Sequence, residues 1–113
     1  MPRHSRLEFL SALYMNKENK MRFLVKVNWP NENANAHVAS GKVGETVQGI
    51  LEQIKPEAVY FGLEGGERTM FMIVNLDEAS QMPSVAEPMF LELDARIEMI
   101  PVMTPEDLAK ANL

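Results

Sequence analysis

Two runs rich in aromatic and β-branched residues, Ala58–Glu64 (AVYFGLE) and Arg68–Leu76 (RTMFMIVNL), stand on either side of Gly65-Gly66-Glu67. Glycines accept the positive φ that a tight connection between antiparallel strands demands, so the pattern predicts a hairpin. A lone hairpin is marginal in water and needs further elements against its apolar side. The flanking sequence supplies them. Met21–Trp29 (MRFLVKVNW) alternates Phe23, Val25, Val27 and Trp29 with Arg22, Leu24, Lys26 and Asn28, the period of a half-buried strand, and Pro30 stops it. A polar stretch, Asn31–Gly41, reads as a loop leading into a helix over Lys42–Lys55. Val43, Val47, Ile50, Leu51 and Ile54 share one face of that helix, with Ser40 as its expected N-cap and Pro56 as its stop.

Beyond the hairpin, Ser80–Leu93 places Met82, Val85, Ala86, Met89 and Leu93 on one face of a second helix, in which Pro88 predicts a kink or break. Ala95–Met103 (ARIEMIPVM) reads as a fourth strand, with Pro101 marking an edge or an end. Thr104-Pro105-Glu106-Asp107 carries a cap residue, a proline for the first turn and acidic groups for the positive end of the dipole, so a short helix follows to about Ala111.

The order β-α-β-β-α-β is the split arrangement of an α+β, ferredoxin-like domain. Right-handed crossovers give an antiparallel four-stranded sheet of order 4-1-3-2 with two helices on one face. The other face is left bare. It carries Leu24, Tyr60 and either the Met70, Met72 or the Phe71, Ile73 pair, an apolar area that predicts a homodimer through the open sheet face.

A chain of 113 residues is one domain, which we assign to residues 21–113. Residues 1–20 form an N-terminal extension. Its basic start and Leu7, Phe9, Leu10, Leu13 resemble an export signal, but Glu8 interrupts the run and no small-x-small site follows, so we expect a cytoplasmic protein. The extension reads as an amphipathic arm, as a disordered segment or, the reading we favour, as an upstream start with natural translation beginning at Met21. No cysteine and two histidines, His4 and His37, leave no expected metal site, and no motif calls for a cofactor. From residue 21 onward 7 basic groups face 14 acidic ones. That balance disfavours nucleic acid and anionic membrane as partners.

Ile54–Phe61 (IKPEAVYF), Ala86–Phe90 (AEPMF) and Pro101–Leu108 (PVMTPEDL) resemble segments of small uncharacterised bacterial proteins of the dimeric α/β-barrel superfamily. The resemblance implies a dimer with its two sheets face to face. Better-known relatives include muconolactone isomerase-like and antibiotic-biosynthesis monooxygenase-like proteins, and they share only the element order, so no catalytic residue transfers from them.

In such a barrel Lys26, Asn28, Tyr60, Glu64 and Glu98 line a pocket, with Arg68 joining them at the strand mouth. Lys26 would hold an anionic substrate or an enolate while Glu98 carries a proton; the bland alternative is a cross-strand ion pair. His37, the single histidine of the body, is a candidate general base or a solvated loop residue, and Trp29 either stacks on a ligand or caps the core. Two functions follow: a cofactor-free isomerase, lyase or monooxygenase-like enzyme acting on a small metabolite, or a non-catalytic ligand-binding or protein-interaction dimer. If Lys26, Tyr60 and Glu98 surround one empty volume the first gains; if they neutralise one another the second does.

Overall fold

The computed structural model describes residues 20–113, and the readings made of residues 1–19 lie outside it. Four strands, β1 (Met21–Trp29), β2 (Ala58–Glu64), β3 (Glu67–Leu76) and β4 (Arg96–Val102), form one antiparallel sheet in the order β2-β3-β1-β4, which is 4-1-3-2 read from the other edge. The helices α1 (Asn31–Ser40), α2 (Val43–Ile54), α3 (Met82–Leu93) and α4 (Pro105–Ala109) complete a ferredoxin-like α+β fold.

The alternation of β1 sends Phe23, Val25, Val27 and Trp29 into the core, where Met70, Met72, Val74 and Leu76 of β3 join them. Ile50 of α2 and Val85, Met89 and Leu93 of α3 cover this layer. Among the methionines Met70, Met72 and Met89 fill the core, whereas Met82 and Met103 stay exposed. No helix among the described residues is long and apolar enough to cross a membrane.

Three local expectations are corrected. Asn31–Gly41 is not a loop: residues 31–40 form α1, so His37 sits on a helix. Periodicity does not reveal α1 because only Ala34 of it is buried. Its asparagines hold it instead: Asn31 Nδ2 donates to the Gly66 carbonyl (3.3 Å), Asn33 Oδ1 accepts from Trp29 Nε1 (2.7 Å), and Asn35 Oδ1 accepts from Arg68 Nη1 (3.0 Å). Consequently Ser40 closes α1, with Gly41 at φ 73°, rather than capping α2, whose N-cap is Lys42. Pro88, finally, does not interrupt α3. The carbonyl its ring leaves without a donor belongs to Ser84, an exposed residue whose backbone water can satisfy.

The rest follows the pattern. Lys55 ends α2 in the left-handed conformation before Pro56, Pro101 lies on edge strand β4, and Thr104 caps α4, its Oγ1 accepting from Asp107 N at 3.0 Å. Gly65 and Gly66, at φ 64° and 79°, form a two-residue turn that pairs Glu64 directly with Glu67.

Candidate functional site

The sheet has two unlike faces, and each carries a hollow. On the open face the strand registers bring Leu24, Phe71 and Ile73 together with Tyr60, which is 69% exposed, and Ile100. At one end of this face Lys26 pairs in register with Glu98, as the alternation implies, and its Nζ lies 3.4 Å from Glu98 Oε1 and 2.8 Å from Glu64 Oε2. The hydrogen bond to Glu64, assisted by Glu98, holds the Lys26 ammonium above its ordinary range in spite of desolvation. Asn28 Nδ2 donates to the Glu64 carbonyl (3.2 Å), while Arg96 donates to Asn28 and pairs with Glu67. The Asn31 backbone N–H and then Arg96 hold the Glu67 carboxyl below the usual carboxylate range. Lys26, Asn28, Glu64, Arg96 and Glu98 thus line a polar hollow of about 310 Å³ in which cations and carboxylates are already paired. Tyr60 does not reach it.

The larger space lies on the helix side. Between α2 and edge strand β2 the helical layer does not close, and Phe61 and Leu63 remain 62% and 77% exposed although they point the same way as the core residues. They form one wall, Val43, Val47 and Leu51 the other, and Val27 and Met70 belong to the central strands beneath. The result is an open cleft of about 700 Å³, a volume in the range of small-molecule sites. Gly44 opens it further, since a Cβ there would meet nothing within 4 Å.

The expected site residues divide between these hollows. Lys26, Asn28, Glu64 and Glu98 share the open face. Arg68 does not join them. A connection of three residues would set Arg68 opposite Glu64, but the two-residue turn sets Glu67 there, and a slip of one residue sends Arg68 to the helix side, where it lines the cleft. Trp29 does two things at once: it is 7% exposed within the core and its ring also borders the cleft. His37 stands edge-on to Trp29, ring centroids 5.2 Å apart, with Nδ1 3.1 Å from the Asn33 carbonyl oxygen, and does not itself border the cleft. The cleft walls Val43, Val47, Leu51, Phe61 and Leu63 escape a reading of the sequence because they look like ordinary core positions of a helix and a strand. Their only signal is that β2 lies at an edge, where few helical residues are left to cover it. No group of three or more His, Asp or Glu side chains among the described residues could hold a metal ion.

Fold and cleft together define a small ferredoxin-like α+β domain with an apolar cleft between its helical layer and an edge strand. The chain belongs to the family described as Domain of unknown function (DUF3303), which matches residues 21–112. No curated protein and no solved structure is significantly similar to it.

Proposed function

We propose that the protein is a ligand-binding module that holds an apolar small molecule in the cleft between α2 and β2, and that it works as a homodimer joined through the open sheet face. The observation that carries the first part is the cleft itself: Phe61 and Leu63 are left in water on the side of the sheet where the central strands β3 and β1 are buried. An apolar guest removes that surface from solvent. Binding without turnover is the reading the polar groups favour. Lys26 and Glu98, the candidate catalytic pair, lie on the opposite face of the sheet from the cleft and are engaged with each other and with Glu64.

The dimer rests on Leu24, Phe71, Ile73, Ile100 and Tyr60, which make the open face apolar across all four strands. A two-fold axis brings the same patch against itself, and the paired charges at one end then sit at the rim. Such a pairing would place the protein with the dimeric α/β-barrel proteins of bacteria, and a cytoplasmic metabolite is the guest we expect.

Two measurements test this. The neutral apolar dye N-phenyl-1-naphthylamine should brighten with the wild-type protein and fail to do so with Gly44→Phe, which fills the cleft; equal brightening of both sinks the cleft reading. Light scattering should give twice the chain mass for the wild type and the single mass for Ile73→Glu, whereas a wild-type monomer sinks the dimer.

A further inference from the structure

The cleft has one charged residue among the fourteen that line it, Arg68. Its position follows from the turn: with Glu64 opposite Glu67, Arg68 pairs with Leu63 and Trp29 and lies on the helix side of the sheet among apolar neighbours. It is half-buried there, and among the described residues no carboxylate comes within ion-pair distance of it. Its protein partner is neutral, the Asn35 amide oxygen at 3.0 Å from Nη1. This sets it apart from the cations of the open face. Arg22, Lys26 and Arg96 are each matched by at least one Glu or Asp.

A guanidinium has five N–H donors in a planar fork, and the bond to Asn35 takes only one. A cation partly withdrawn from water beside hydrocarbon is stabilised when an anion meets it, and a carboxylate matches the fork with two parallel bonds. The chain as a whole carries a net charge of −5 and repels anions. Within the cleft the sign is reversed at a single point.

Resting on the reading of the cleft as a ligand site, we propose that its ligand is an amphipathic monocarboxylate whose hydrocarbon body lies between α2 and β2 and whose carboxylate is held by Arg68. The body is recognised by Val47, Leu51, Phe61 and Leu63, none of which discriminates finely among hydrocarbon shapes. Arg68 therefore sets the orientation of the guest and selects acids over neutral molecules of equal size. Asn35, on α1, accepts from Arg68 Nη1 and is a positioning residue.

Trp29 provides the assay. It is the single tryptophan of the chain and borders the cleft, so its fluorescence reports a guest directly. Decanoate and 1-decanol, titrated into the full-length protein at neutral pH below their aggregation limits, differ in the carboxylate alone. Decanoate is expected to bind about ten-fold more tightly or better, the effect of a hydrogen bond to a charged group. Arg68→Gln, which removes the charge, should abolish the preference for decanoate over decanol; a preference that survives this variant overturns the proposal. Asn35→Ala, which removes the tether and leaves the fork, should reduce the preference for the acid without abolishing it; a preference as large as the wild type's would show that Asn35 does not position Arg68. Equal binding of the two ligands by the wild type overturns the proposal while leaving the cleft as an apolar site. Binding of neither overturns both. The wild-type comparison needs no variant, so it can overturn the proposal even where a variant does not fold.

Discussion

Ile50 and Leu51 are neighbours on α2 with different surroundings, and the difference turns the cleft into a stability experiment. Ile50 is 1% exposed and packs inside the core; Leu51 is half-buried and borders the cleft. Replacing Ile50 by Ala deletes three carbons from a closed environment. At about 0.8 kcal/mol per buried carbon the lost transfer energy is about 2.4 kcal/mol, and the enclosed hole raises the cost to roughly 3–4 kcal/mol. Leu51→Ala removes the same number of carbons from a wall that already faces open space. No new enclosed hole forms, part of the side chain was in water, and the cost falls to about 1 kcal/mol. The gap of about 2–3 kcal/mol corresponds to roughly 10–15 °C in melting temperature for a domain of this size. Urea and thermal unfolding followed by circular dichroism measure both variants, at one protein concentration because a dimer makes stability depend on it. Equal costs at the two positions would mean that the cleft is closed in solution and would refute the reasoning built on it.

Gly49 lies inside α2 with nothing within 4 Å of an added Cβ, so Gly49→Ala should stabilise the protein by about 0.5–1 kcal/mol in urea unfolding. Gly66→Ala should do the reverse, since φ of 79° in the hairpin turn costs an L-residue roughly 1–2 kcal/mol, visible as a lowered melting temperature. Glu57, held below the usual carboxylate range by Asn75 and Arg22, behaves like Glu67, and so does Asp107, which accepts from the Thr104 backbone. A depressed folded-state pKa means the unfolded chain binds protons first. Stability is therefore full above the ordinary carboxylate pKa of about 4 and falls as pH drops through the lower folded values, and the loss should shrink in the Glu57→Gln, Glu67→Gln double variant. Lys26 has the opposite sign: its raised pKa contributes below the ordinary lysine value of about 10.4 and is lost above it, so Lys26→Met should flatten the alkaline limb of the unfolding profile.

Most of the sheet is legible in the sequence because strand alternation and glycine turns are local signals. Phe23, Val25, Val27 and Trp29 declare their face without help from the rest of the chain. The Lys26–Glu98 pairing is legible for the same reason, given the strand order. Helix α1 is not. Residues 31–40 bury one side chain, Ala34, and owe their helix to bonds made with Trp29, Gly66 and Arg68, residues that a reading of local periodicity does not connect to them. Tertiary hydrogen bonding here outweighs the weak helix propensity of asparagine.

The site was harder to see than the fold, and the reason reduces to one residue of register. Counting Gly65-Gly66-Glu67 as the connection makes Arg68 the partner of Glu64 and gathers Lys26, Asn28, Tyr60, Glu64, Arg68 and Glu98 on the open face. Both glycines, however, adopt positive φ, the requirement of a two-residue turn whose twist suits the flanking strands, and residue 67 becomes the first of β3. Because side chains alternate with a period of two, that single step exchanges the faces of β3 relative to β2. Phe71 and Ile73 go to the open face, Met70 and Met72 to the core, and Arg68 to the cleft. Inserting one residue between Gly65 and Gly66 is therefore a stringent perturbation. With a two-residue turn retained it would slip edge strand β2 against β3, which β1 holds in register on its other side, turning Phe61 and Leu63 toward the open face and Tyr60 toward the helices; the domain should instead take up the extra residue as a longer loop or a bulge. A bulge keeps Arg68 in the cleft, and with it the preference for decanoate over decanol. A variant that stays folded with the register truly shifted, its amide cross-peaks pairing Glu64 with Arg68, would show that side-chain burial does not control this turn.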